Sequence, residues 1–109
     1  MIWAIIKTSF EDYHQWVEAP NDVAFLRNIH RHLFYVELRI EQKHTQRDIE
    51  YITAKKELNN VCQHERDLST NQSCEDIATE IKNYYQKKYS DRKIKVYIFE
   101  DNENGTLVE

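Results

Sequence analysis

Two histidines separated by a single residue, His30 and His32, stand near the start of the stretch NIHRHLFYVELRI, Asn28 to Ile40. On an extended backbone, residues two apart project to the same side, so both imidazoles share a face with Phe34, Val36, Leu38 and Ile40. That face is the one expected to be buried. Two ring nitrogens on one face can reach one metal ion, and a third nitrogen from elsewhere would leave the fourth position of a zinc site open to a substrate. His14, in FEDYH just past a first strand, is the candidate third ligand, because an adjacent antiparallel strand brings that point beside the start of the second. Glu100 adds a carboxylate to the otherwise apolar face of Ile94, Val96 and Ile98. Taken alone, the pattern also fits two hydrogen-bonded histidines at a strand entrance and a strand-end acid reaching water.

These residues need elements to position them. MIWAIIKTSF is rich in β-branched and aromatic residues and reads as a first strand, followed by a long connection over 11–27 that holds Pro20. The second strand starts at His30. HTQRDIEYITAKKEL turns helical, with Thr45 and Asp48 as a cap signature ahead of Ile49, Ile52 and Leu58. SCEDIATEIKNYYQKKY repeats the capping pattern with Ser73 and Asp76, and Ile77, Ile81, Tyr84 and Tyr85 supply its apolar stripe. IKVYIFE alternates again, DNENG is a turn, and TLVE is a short last strand. Strand, strand, helix, helix, strand, strand is most economically an α+β domain with both helices on one face of a four-stranded antiparallel sheet.

Composition bounds the possibilities. The chain of 109 residues is expected to form a single domain over 1–109, large enough to fold without covalent staples. Cys62 and Cys74 are too few for a disulfide framework and fit no paired-cysteine zinc motif; with no signal peptide ahead of them, a reducing cytoplasm is the expected compartment. No apolar run approaches the roughly 20 residues of a membrane helix. Fifteen Lys and Arg against nineteen Asp and Glu give a net charge of −4, which argues against a nucleic-acid partner. The basic segment YYQKKYSDRKIK reads as a solvated helix end.

The chain resembles the 6-pyruvoyltetrahydropterin synthase group, including the 6-carboxytetrahydropterin synthases of the queuosine pathway. Phe10 and His14 match its F-x-x-x-H, His30-Arg31-His32 its H-G-H, and DIEYITAKKEL, SCEDIATEI and VYIFED its two helix entries and third strand. The resemblance implies the tunnelling fold, in which protomers join edge to edge into β-barrels, commonly hexamers, with active sites between subunits. It implies zinc held by His14, His30 and His32, and a pterin anchored through its guanidine-like donors on Glu100, with Ser73, Cys74 and Glu75 beside it. The activity implied is that of a zinc-dependent lyase acting on 7,8-dihydroneopterin triphosphate or a related pterin.

Departures from the family pattern point to a second reading. PNDVAFLRNI lacks the family's catalytic cysteine, and no acid lies between Val23 and Ile29. In CQHERDL, His64 is the leading proton carrier, with Gln63 in the place of an orienting aspartate and Asp67 as a substitute. Cys74 stands at a helix start, where a thiol's pKa tends to fall, which makes it a candidate replacement base. Arg31 replaces the middle glycine of H-G-H and, with Arg27, could contact phosphate. The alternative to the lyase is therefore a family member that binds or sequesters a purine-like or nucleotide small molecule at subunit interfaces without turnover.

Overall fold

A computed structural model describes residues 1–109. Strand β1, Ile2–His14, pairs antiparallel along its whole length with β2, His30–Gln42, in an unbroken register from Ile2 opposite Gln42 to His14 opposite His30. After β2 come helix α1, Tyr51–Asn60, a π-helical turn, Val61–Glu65, and helix α2, Cys74–Lys88. Strands β3, Ile94–Glu100, and β4, Gly105–Val108, complete a four-stranded antiparallel sheet in the order β1-β2-β3-β4. The domain is α+β. No helix is long and apolar enough to cross a membrane.

Alternation decides which face is covered. Ala4, Ile6 and Phe10 of β1, Phe34 to Ile40 at every second position of β2, and Ile94, Val96 and Ile98 of β3 are all buried on one side. The helices lie over that side, α1 against β1 and α2 against β3 and β4, contributing Leu58, Ile77, Ala78, Ile81 and Tyr85 to the same core. Each such fully buried aliphatic or aromatic side chain stabilises the fold by about 1.5–3 kcal/mol relative to exposure. The capping box at α2 forms as its sequence suggests: the Ser73 hydroxyl accepts from the Asp76 amide at 3.0 Å, and the Asp76 carboxylate accepts from the Ser73 amide at 3.2 Å.

Two element boundaries differ from expectation. Strand β1 continues past Phe10 to His14, because Glu11 and Tyr13 face outward while Asp12 and His14 stay on the covered side, each opposite a β2 residue. The connection therefore spans 15–29 and is braced by a 3-10 turn at Asn21–Arg27. Helix α1 begins later than expected, capped by Glu50, whose carboxylate accepts from the amides of Ile52 at 3.1 Å and Thr53 at 2.6 Å. Thr45 and Asp48 do not cap it. Arg47, at φ 53°, turns the chain ahead of the helix, and Asp48 is taken up elsewhere by Arg92 at 2.5 and 3.2 Å and by the Lys43 amide at 2.7 Å.

The Arg92 guanidinium, followed by the Lys43 amide, holds the Asp48 carboxyl down from 3.8 to about 2. A depressed carboxylate pKa contributes stability that is whole above 3.8 and is lost as pH falls through about 2. Asp48→Asn is therefore expected to flatten the fall in melting temperature across that window, and an unchanged acid limb would show that the Asp48 pair contributes nothing to it.

The long β1–β2 pair draws the molecule out. Its extents are 51 × 23 × 22 Å and its radius of gyration is 15.0 Å, against about 13 Å for a compact chain of this length. Both outer strands, β1 and β4, have a neighbour on one side only.

Candidate metal centre

The β1–β2 register sets His14 directly opposite His30, and His32 lies two residues further along the same face. Their ring centroids are 4.5 to 5.0 Å apart, and one nitrogen from each lies within 4.8 Å of the other two. Phe34 forms the floor, edge-on to His14 at 5.4 Å and to His32 at 5.8 Å, and is itself stacked on Phe10.

The partners of the rings decide which nitrogen is free. His14 Nδ1 is 2.9 Å from the Gln72 carbonyl, His30 Nδ1 is 2.8 Å from the Asn28 carbonyl, and His32 Nδ1 is 2.7 Å from Asp101 Oδ2. All three partners are pure acceptors, so each Nδ1 carries a proton, and in the neutral ring that a metal ligand requires each Nε2 presents a lone pair. Burial, the largest influence on His14, holds it below the ordinary histidine value, so it is neutral at pH 7. His32 Nε2 is buried and 2.7 Å from Glu100 Oε2, yet the geometry makes no hydrogen bond there. A lone pair against a carboxylate oxygen is repulsive, and a cation beside both, a bound metal or a proton, relieves it. Three convergent imidazole nitrogens, outer partners that fix their tautomers, and an orphaned buried nitrogen facing an anion together fit a zinc ion with one position left open.

Glu100 ends β3 opposite Phe34. Its Oε2 also lies 3.7 Å from His14 Nε2, and its Oε1 accepts from the Cys74 thiol at 3.4 Å. A cavity of about 520 Å³ opens above these groups, lined by His14, His30, Glu100, the α2 start at Ser73, Cys74 and Glu75, and by Gln15, Trp16, Leu26, Asn71 and Gln72. That volume lies in the range of small-molecule sites.

Cys74 does not behave as its helix-start position suggests. Burial, and after it the neighbouring Glu100 charge, push the thiol well above its ordinary value. It is a proton donor to Glu100 rather than a thiolate base. His64 is exposed in the Val61–Glu65 turn and does not line the cavity of its own chain. Asp67 does not orient it, since the Asp67 carboxylate accepts from the Ser69 amide at 2.8 Å and from Gln72 Nε2 at 3.1 Å. Arg31 projects to the opposite sheet face and pairs with Glu11 at 2.7 Å. Arg27 braces the connection, donating to the Ala19 carbonyl at 2.8 Å and to Asn21 Oδ1 at 2.9 Å. Neither arginine lines the cavity.

Sequence reasoning missed Asp101, Trp16 and the two main-chain acceptors. Asp101 had a visible signal, an acid immediately after Glu100 in a turn sequence. No protein-family model and no curated protein matches the chain.

Proposed function

We propose that this chain is a divergent member of the 6-pyruvoyltetrahydropterin synthase group with a tunnelling fold, in which His14, His30 and His32 hold zinc and the adjoining cavity takes a pterin- or purine-like ring. The observation that carries the reading is the convergence of three imidazole nitrogens, within 4.8 Å of one another, beside Glu100 at the edge of a cavity of about 520 Å³. When bound, zinc supplies a Lewis acid for a hydroxyl or carbonyl oxygen of a ligand side chain, the chemistry of a lyase acting on 7,8-dihydroneopterin triphosphate or a related pterin. The chain's own residues do the rest. Glu100 accepts two donors from the ring's pyrimidine edge as a charge-assisted pair, with the Cys74 thiol steadying its other side. Trp16 offers an aromatic wall. His64, exposed on its own chain, reaches a cavity only across a subunit junction, the location the family resemblance implies for active sites. Two free, buried cysteines suit a reducing cytoplasm.

A specific observation favours the second reading, capture without turnover: the one cysteine in the cavity is held as a thiol by burial and by Glu100. Calorimetry and product chromatography on two variants separate the readings. Glu100→Gln is expected to weaken binding of a pterin or guanine by about 1.5–3 kcal/mol in both, because a donor then faces donors. His64→Ala is expected to lower turnover by about 100-fold in a lyase while affinity changes little; in a capture protein it changes neither. If Glu100→Gln binds every tested ring as well as wild type, the pterin-like mode fails.

Assembly follows from the unpaired edges. Strand β1 offers a 13-residue edge with Ile2 and Ile5 exposed, a template for pairing with another copy. Light scattering is expected to report a homo-oligomer, with a hexamer as the implied size, and a stable monomer at micromolar concentration would contradict strand-edge assembly.

A further inference from the structure

Resting on the zinc reading above, we infer that Asp101 is a positioning residue of the metal centre: its carboxylate holds His32 in the ring orientation and tautomer that present Nε2 to the ion. The three ligands are held differently. His14 and His30 are fixed by main-chain carbonyls, Gln72 O at 2.9 Å and Asn28 O at 2.8 Å, whereas the outer partner of His32 is a side chain, Asp101 Oδ2 at 2.7 Å.

The backbone explains why. Pairing between β2 and β3 ends at Phe34 opposite Glu100, so His32 lies beyond the last paired residue. The chain turns away there through two left-handed residues, Asp101 at φ 53° and Asn102 at φ 57°. The turn is closed on β2 at two points: the Asp101 amide donates to the Leu33 carbonyl at 2.7 Å, and the Leu33 amide donates to Asp101 Oδ1 at 3.0 Å. One carboxylate oxygen is thereby fixed by backbone and the other is aimed at the ring. A carboxylate can only accept, so His32 Nδ1 must carry a proton, and in the neutral ring Nε2 is the nitrogen left to ligate. The negative charge also raises the ligand's basicity toward a dication.

A purely structural role, closing the turn, is the competing account, and Asp101→Asn separates the two. Asparagine tolerates the left-handed conformation, and its carbonyl oxygen can still accept from the Leu33 amide. Its NH2 then faces His32 Nδ1, which must accept, so the proton moves to Nε2 and blocks ligation. A turn-closing role predicts wild-type metal affinity for Asp101→Asn. A positioning role predicts a loss of about 10–100-fold.

The test measures zinc affinity of the full chain by competition with a chromophoric chelator, alongside the visible spectrum of the cobalt(II)-loaded form and the melting temperature without metal. Asp101→Asn is expected to melt within a few degrees of wild type, to bind zinc about 10–100-fold more weakly and to give an altered cobalt spectrum. If it does melt early, Asp101→Ala is the reference, since it loses both contacts. Asn binding zinc no better than Ala supports the inference; Asn recovering affinity above Ala overturns it, as does Asn matching wild type. Failure of wild type to bind zinc rejects the metal centre itself, whereas binding that Asp101→Asn leaves unchanged rejects the role of Asp101 alone.

Discussion

Asp12→Ala is expected to destabilise the fold by about 3–5 kcal/mol, read as a fall in the midpoint of a denaturant transition with little change in slope. Asp12 is the carboxylate partner of Arg66, whose side chain is only 3% exposed. The guanidinium donates to the Cys62 carbonyl at 2.7 Å, the Asp67 carbonyl at 3.0 Å and Asp12 Oδ2 at 2.5 Å, and lies 4.6 Å over the Phe10 ring. Removing Asp12 leaves a desolvated cation with only neutral acceptors, the case in which breaking a buried pair is most damaging. Asp12 is itself 26% exposed, which places the loss toward the lower end of that range. Glu11→Ala is the control: the Glu11–Arg31 pair is also in direct contact, at 2.7 Å, but both side chains are about half exposed, so no measurable change is expected. A wild-type midpoint for Asp12→Ala would show that Arg66 is satisfied by carbonyls and Phe10 alone. The clamp also bears on the site, since Asp12 stands opposite His32 and two residues before His14.

Arg66 illustrates why part of the chain was illegible in its sequence. The segment CQHERDL invites a search for a proton carrier, and His64 draws the eye. The side chain that matters there to folding is the arginine, and only the path of β1 shows it, because Asp12 is far away in sequence and meets Arg66 through tertiary packing. The same applies to the end of β1. Glu11, Asp12 and His14 look like a polar loop on composition, yet pairing with β2 keeps them extended. For α1, Thr45 and Asp48 satisfied the local capping pattern, but a distant arginine, Arg92, claimed Asp48 and left the cap to Glu50.

What was legible rested on period and register. Alternation from His30 to Ile40 put the histidines on the buried face, and the capping box at Ser73 and Asp76 depends on residues within one turn, so both could be read locally. That His14 would meet them followed from the geometry of an antiparallel pair. The outer partners divide along the same line. Gln72 and Asn28 act through main-chain carbonyls, which no residue type announces, whereas Asp101 acts through its side chain and was there to be noticed. Cys74 shows a local rule overridden: a helix start favours a thiolate, but burial against Glu100 outweighs it.

If His14, His30 and His32 hold a metal ion through their Nε2 atoms, His32→Ala has a large effect. His32→Ala removes the nitrogen that faces Glu100 and leaves two imidazoles, fewer than the three protein ligands an open zinc site uses. Its loss should exceed the roughly 10–100-fold that removing an outer partner costs. Elemental analysis of the purified wild-type chain and of His32→Ala, both expressed with added zinc and dialysed extensively, tests this directly. About one zinc per wild-type chain and almost none in the variant is the expected result. Equal metal in both proteins, or none in either, would contradict it.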